Sequence, residues 1–233
     1  MLDNVEILVI ASAIATLLVA ILSSIQVSLR SRLIVAAVVG AWIGAVVAVT
    51  AAGKLPPLTF LSLFSFPLLG AALLAAFPAT RAVLAQIPVP LIIGLNVIRG
   101  LGFLFILLAL AGRLRGPFPY SAGIGDMLAA LFALPVARLA ARSGPNDPRV
   151  IAWNAFGMLD LVVAVSLGLT SSSGFPLQLI HAGAGSTAIT TLPWALVPLV
   201  LVPTFLIGHC IVFAHARVQA ASRAFGPQRL AGI

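Results

Sequence analysis

Few side chains in this sequence could do chemistry, and most of them sit in three stretches. Arg99 follows Asn96 in LNVIRGLGF, Asp126 closes SAGIGD, and Asp160 follows Asn154 in WNAFGMLD. An arginine and two carboxylates can pair with one another, hold a charged solute, or pass a proton between water and a sheltered site. Asparagines add donors and acceptors between helices. All five residues lie inside long apolar runs, where an ionised group is costly and normally turns toward a partner in the protein interior.

Simple depth arithmetic predicts that the three charges meet. At about 1.5 Å per residue, Arg99 lies roughly 16 Å from one end of its apolar run, and Asp160 roughly 15 Å from the same end of its own. Asp126 enters from the other side and lies about 10 Å below that surface, or roughly 20 Å above the first in a core of ~30 Å. An arginine side chain spans the difference, so one Arg99 is expected to contact both carboxylates. One positive charge then faces two negative ones. The imbalance calls for a proton on one carboxyl, or for a bound cation or ligand.

The neighbours of these residues favour close helix approach. Trp153, Gly157, Asp160 and Ala164 share one helical stripe, with Asn154 at its border, and Gly123 and Gly125 precede Asp126. GIGD follows no strand and is no dinucleotide fingerprint. Gly40 and Gly44 make a G-x-x-x-G spacing in the second apolar run, which predicts tight packing there. Pro67, Pro135, Pro198 and Pro203 are expected to interrupt or kink their helices.

The elements that must position these groups follow from composition. The chain has 233 residues, 61% hydrophobic and only 8% charged, with a mean hydropathy of +1.19. Water-soluble domains carry about 25% charged residues, so the chain is expected to be all-α, one polytopic transmembrane domain over 1–233 in a lipid bilayer. Seven spans are predicted, at about 5–28, 33–52, 58–78, 88–112, 119–137, 150–170 and 191–214. Arg30, Arg32, Arg81, Arg138, Arg142, Arg149, Arg217, Arg223 and Arg229 fall on one side, against Lys54, Arg113 and Arg115 on the other. The positive-inside bias puts the nine-arginine side in the cytoplasm, with the N-terminus outside and the C-terminus inside. Residues 171–190 carry no Asp, Glu, Lys or Arg, and are expected to form an external loop with a short interfacial helix, or a re-entrant segment shielded from lipid.

Other classes lose support on residue grounds. The net charge of +8 is spread in ones and twos and forms no basic face, so no nucleic-acid partner is expected. The lone Cys210 allows no intramolecular disulfide and is read as a packed thiol. Asp3 and Glu6 open the first apolar run, where a cleavable signal peptide would be basic. His209 and His215 are six apart and face different sides of one helix, and His181 lies in the outer loop, so neither a metal nor a haem is expected. Each histidine is read as a hydrogen-bonded or interfacial group. The only lysine is Lys54, which leaves no Schiff-base residue for retinal. Ser166, Ser171 and His181 share a side but no motif, so no cofactor is expected and catalysis is not the leading reading.

IRGLGFLFILLALAG, FPYSAGIGDMLAALFALPVA, WNAFGMLDLVVAVSLG and LPWALVPLVLVPTFLIGH together resemble a family of small, functionally uncharacterised bacterial integral membrane proteins. The resemblance spans approximately residues 85–210, and the first three helices match only in being apolar. It implies that the Arg99, Asp126 and Asp160 segments belong to one recurrent pattern, and a multi-pass protein of the bacterial cytoplasmic (inner) membrane. It implies no activity, cofactor or substrate. Two functions follow as expectations. One is a small transporter or ligand-binding protein, in which Arg99 holds an anionic group or a carboxylate while Asp126 or Asp160 exchanges a proton, the partner being a small solute or the proton itself. The other is a non-catalytic partner subunit of a membrane complex, or a homo-oligomer.

Overall fold

The computed structural model describes residues 2–53, 55–183 and 185–224, all of it helix or connection. Lys54 and Arg229, which enter the charge bias, lie outside the described residues, as do the side chains of Asp3 and Arg223. The helices are α1 (Leu2–Ser24), α2 (Leu29–Ala51), α3 (Pro57–Leu74), α4 (Pro78–Leu84), α5 (Val89–Leu95), α6 (Phe103–Leu110), α7 (Phe118–Ser143), α8 (Pro148–Thr170) and α9 (Val202–Ala224). A 3-10 segment, Asn96–Gly102, joins α5 to α6, and a wide π turn, Val197–Leu201, leads into α9. Seven helical stretches are long and apolar enough to cross a membrane. The fourth is Val89–Leu110 and the seventh Val197–Ser222. The chain is therefore an all-α integral membrane protein.

Local chemistry sets the helix ends. Pro57, Pro78 and Pro148 open α3, α4 and α8, where a missing N–H costs nothing. Ser28 Oγ caps α2 by accepting from the Ser31 N–H, and Asp147 caps α8 by accepting from the Arg149 N–H at 2.9 Å. The hydrogen bonds from Arg149 hold the Asp147 carboxyl below its usual range. Gly144 stops α7 with φ +90°, a conformation that suits glycine. α7 runs past the predicted end at 137 because Ala-Arg-Leu-Ala-Ala-Arg continues to favour helix after the apolar run fades. The seventh span begins at Val197 rather than 191, since residues 191–195 are spent in a bend and turns.

α7 stands at the centre. It packs against the fourth span on one side and α8 on another, and α9 closes the group against α8, α5 and α3. Ala122, Ala129, Ala130, Ala133, Ala137 and Ala140 line the buried faces of α7, so its neighbours approach closely. α2 lies at the edge, against α1, with Trp42 stacked on Phe66 of α3 at 5.1 Å between centroids. It packs through Trp42, Ile43, Val46 and Thr50, which leaves Gly40 and Gly44 with nothing within 4 Å of where a Cβ would sit. Among the described residues no other element thus packs closely on the G-x-x-x-G pair, contrary to the expectation from spacing.

Contacts at the two ends order the spans. Glu6 of α1 accepts from Arg113 Nη1 at 3.0 Å and from Trp194 Nε1 at 2.9 Å, which gathers three elements at one face. At the other face Gln26 N donates to Gln86 Oε1, and Asn146 N to Gln219 Oε1. Cysteines placed singly at Arg142 and Ser173, in a Cys210→Ala background, should react with an impermeant maleimide from opposite faces of sealed vesicles. Labelling from the same face would refute α8 as a span.

Candidate functional site

The local fold begins with the 3-10 segment. Three residues per turn place Asn96, Arg99 and Gly102 in one row, and these are its three buried residues. The sequence suggested an uninterrupted α-helix here, in which residues three apart would drift round the axis. Gly100 and Gly102 lower helix propensity. Gly102 also leaves room for α7: a Cβ there would stand 2.5 Å from Asp126 Cβ.

Arg99 is 3% exposed and all three of its nitrogens are engaged. Nε donates to Asp126 Oδ1 at 2.7 Å and Nη2 to Asp160 Oδ2 at 2.5 Å. Nη1 donates to the Gly157 carbonyl at 3.1 Å and faces His209 Nε2 at 3.3 Å. Asn154 Nδ2 donates to the His209 carbonyl at 3.1 Å, which turns Asn154 Oδ1 toward His209 Nδ1 at 2.7 Å. Nδ1 must therefore carry the hydrogen, and Nε2 presents its lone pair to Arg99. Trp153 leans on the His209 ring at 5.7 Å and anchors its own Nε1–H on the Ala129 carbonyl at 3.2 Å. The group contains one cation, one neutral imidazole and two carboxyls.

Glycines make this proximity possible. A Cβ at Gly157 would come within 2.7 Å of His209 Cε1 and 3.1 Å of Arg99 Nη1, and one at Gly123 within 2.9 Å of the Gly102 carbonyl. A Cβ at Gly125 would overlap the Asp160 carboxylate. Each of these glycines marks where two helices, or a helix and a charged group, touch.

The structure brings Arg99, Asp126 and Asp160 into direct contact and adds Asn154 through His209. It does not bring in Asn96, whose Nδ2 donates to the Ile92 carbonyl of its own helix at 3.0 Å. The Asn96 Oδ1 is buried without a partner among the described residues. His209, read from the sequence as a hydrogen-bonded or interfacial group, is hydrogen-bonded here, but its place beside Arg99 was not foreseen. Depth would have found it: twelve residues from Val197, it lies about 18 Å into the seventh span, level with Arg99. Among the described residues no three His, Cys, Asp or Glu side chains are grouped as metal ligands.

A cavity of about 110 Å³ runs from the 171–190 connection to Asp126. Phe60, Phe105, Phe118, Leu161 and Val165 form much of its wall, and Asp126 is its only charged residue among those described. A smaller cavity of about 40 Å³ reaches Arg99 and Asp126 from the side of Ile10 and Trp194. The 171–190 connection is a folded cover. Leu179 N and Ile180 N donate to the Thr170 carbonyl, Ser186 Oγ to the Gly168 carbonyl, and Arg115 N to the Gly185 carbonyl. Its helical part is the short 3-10 turn Thr187–Thr190.

These features define a polytopic helical membrane protein with an arginine–dicarboxylate cluster enclosed by four of its spans. The chain belongs to the family of a domain of unknown function, DUF8737, matched over residues 55–217. The match takes in α3, so the shared region begins earlier than the resemblance over 85–210 suggested, and it contains every residue of the cluster. No curated protein and no solved structure matches the chain.

Proposed function

We propose that the protein binds a small solute or a proton at the Arg99, Asp126 and Asp160 cluster and carries it across a bacterial inner membrane, with the N-terminus outside and the arginine-rich face in the cytoplasm. The observation that supports this reading is that Asp126 pairs with Arg99 and also lines both cavities. A group used only to hold helices together has no need of open space beside it.

The geometry also shifts the role expected of Arg99. Its nitrogens are occupied by both carboxylates, Gly157 and His209, so it positions the acids and is not free to hold an anion. With both carboxyls ionised and His209 neutral, the cluster carries a net charge of −1. A proton or a cation cancels that charge, and the sheltered surroundings make the cancellation favourable. Loading and unloading one positive charge at Asp126 and Asp160 is the step the cluster is built to perform.

Proteoliposomes test this. Under a potassium diffusion potential, the wild type should move protons well above empty vesicles, read by a pH-sensitive dye. Asp126→Asn and Asp160→Asn should fall to background while keeping their melting transitions. Wild-type flux equal to that of empty vesicles would overturn the transport reading.

A second reading has its own support. The engagement of all three side-chain nitrogens of Arg99 and the glycine cradle around it suit an interhelical lock in a non-catalytic subunit. The open Gly40 and Gly44 face of α2 suits a membrane partner or a second copy of the chain.

A further inference from the structure

We infer that the larger cavity takes a small amphipathic ammonium compound, its charge at Asp126 and its apolar body, of about one ring, among Phe60, Phe105 and Phe118. This inference rests on the proposed binding role of the cluster and names the class of ligand. The charge follows from the wall. Among the described residues Asp126 is the only ionisable one lining this cavity, and Arg99 reaches Asp126 Oδ1 alone, leaving Oδ2 without a hydrogen bond among them. The side chain of Asp126 is 14% exposed against 1% for Arg99, so an arriving molecule meets the carboxylate and not the guanidinium. An anion entering this cavity would meet the Asp126 carboxylate and be repelled, whereas an ammonium N–H finds an acceptor there.

The body of the ligand follows from the remaining lining. Phe105 and Phe118 stand 5.5 Å apart in a tilted pair beside Asp126. Aromatic walls next to a carboxylate favour a cation carried on an apolar frame, because the ring faces add attraction for the charge. At about 110 Å³ the space approaches that of cavities known to accept a single benzene ring, roughly 150 Å³. Thr187 Oγ1 in the same wall is buried without a partner among the described residues. It offers a polar contact toward the 171–190 end and makes a purely hydrocarbon ligand less suitable there.

The probe is phenethylamine, protonated at neutral pH, compared with the neutral 2-phenylethanol. Binding to the purified protein in lipid nanodiscs is measured by calorimetry, with protein-free discs subtracted. The ammonium compound should bind on the order of tenfold more tightly than the alcohol, the ratio expected for one charge-assisted hydrogen bond. Asp126→Asn should erase that preference. Gly168→Leu, in the cavity wall about 12 Å along α8 from Asp160, should weaken both compounds. Equal affinity for the two compounds, no detectable ammonium binding, or full binding to Gly168→Leu would overturn the inference. Loss of ammonium binding alongside intact wild-type proton flux removes the ligand class and leaves the transport reading standing, whereas absence of flux with specific binding does the reverse.

Discussion

Arg99→Ala should abolish folded protein, or lower its thermal midpoint far more than any other single truncation among the described residues. The substitution leaves two carboxyls, the Gly157 carbonyl and His209 Nε2 facing one another around a void. Removing one partner of a buried ion pair costs roughly 3–5 kcal/mol, a large share of the roughly 5–15 kcal/mol that holds a typical domain together. The effect is of the remaining charges and not of lost packing, so it should be reversible. Combining Arg99→Met with Asp126→Ala and Asp160→Ala removes every uncompensated charge, and this triple variant should regain most of the lost midpoint in fluorescence-detected size exclusion and melting. An Arg99→Ala protein that melts like the wild type would show that the cluster does not hold the helices. A folded triple variant without proton flux would place the activity in the cluster; one that retains flux would remove it from there.

The spans were readable in the sequence because a bilayer demands long apolar runs, and seven such runs survive into the structure with their order intact. Their ends were less readable. The last turns of α7 contain Arg138 and Arg142 and leave the apolar window, yet remain helical because alanine, leucine and arginine favour helix in water as well. The meeting of Arg99, Asp126 and Asp160 was also readable, since depth along a helix is fixed by the rise per residue and charges at equal depth have few partners. Rotation about the axis was not. It depends on the 3-10 segment, which turns Asn96 into the same row as Arg99 while leaving its amide bonded to Ile92. The place of His209 beside Arg99 went unseen because a lone histidine in an apolar run says nothing of its ring partner until Asn154 is found beside it. The Gly40 and Gly44 spacing misled for a related reason. Small residues permit a close neighbour, but only the packing of Trp42, Val46 and Thr50 decides which face of α2 receives one. The cavity and its cover depend on side chains from α3, α6, α7 and α8 and on the 171–190 connection, and no local pattern reports a space enclosed by so many elements.

Gly125→Ala should destabilise the protein even though it replaces the poorer helix former with the best one. In the middle of a helix the exchange normally gains about 0.8–1.0 kcal/mol. Here the added methyl would overlap the Asp160 carboxylate, and its distance from Asp160 Oδ2 would be only 2.9 Å. Something has to move. α7 cannot retreat easily, because Gly123 and Gly102 hold it against the fourth span, where a Cβ at Gly102 would already meet Asp126. The Asp160 side chain is the softer element, and its displacement breaks the 2.5 Å contact with Arg99 Nη2. Gly125→Ala is therefore expected to lower the melting midpoint and to reduce proton flux together. The double variant tests the cause. In an Asp160→Ala background there is no carboxylate to strike, so adding Gly125→Ala should be neutral or stabilising, with a coupling of about 0.5–3 kcal/mol between the two sites. Additive effects, or a stabilised single variant, would mean that α7 and α8 do not approach each other at Gly125, and the ion pair from Asp160 to Arg99 would lose its structural basis.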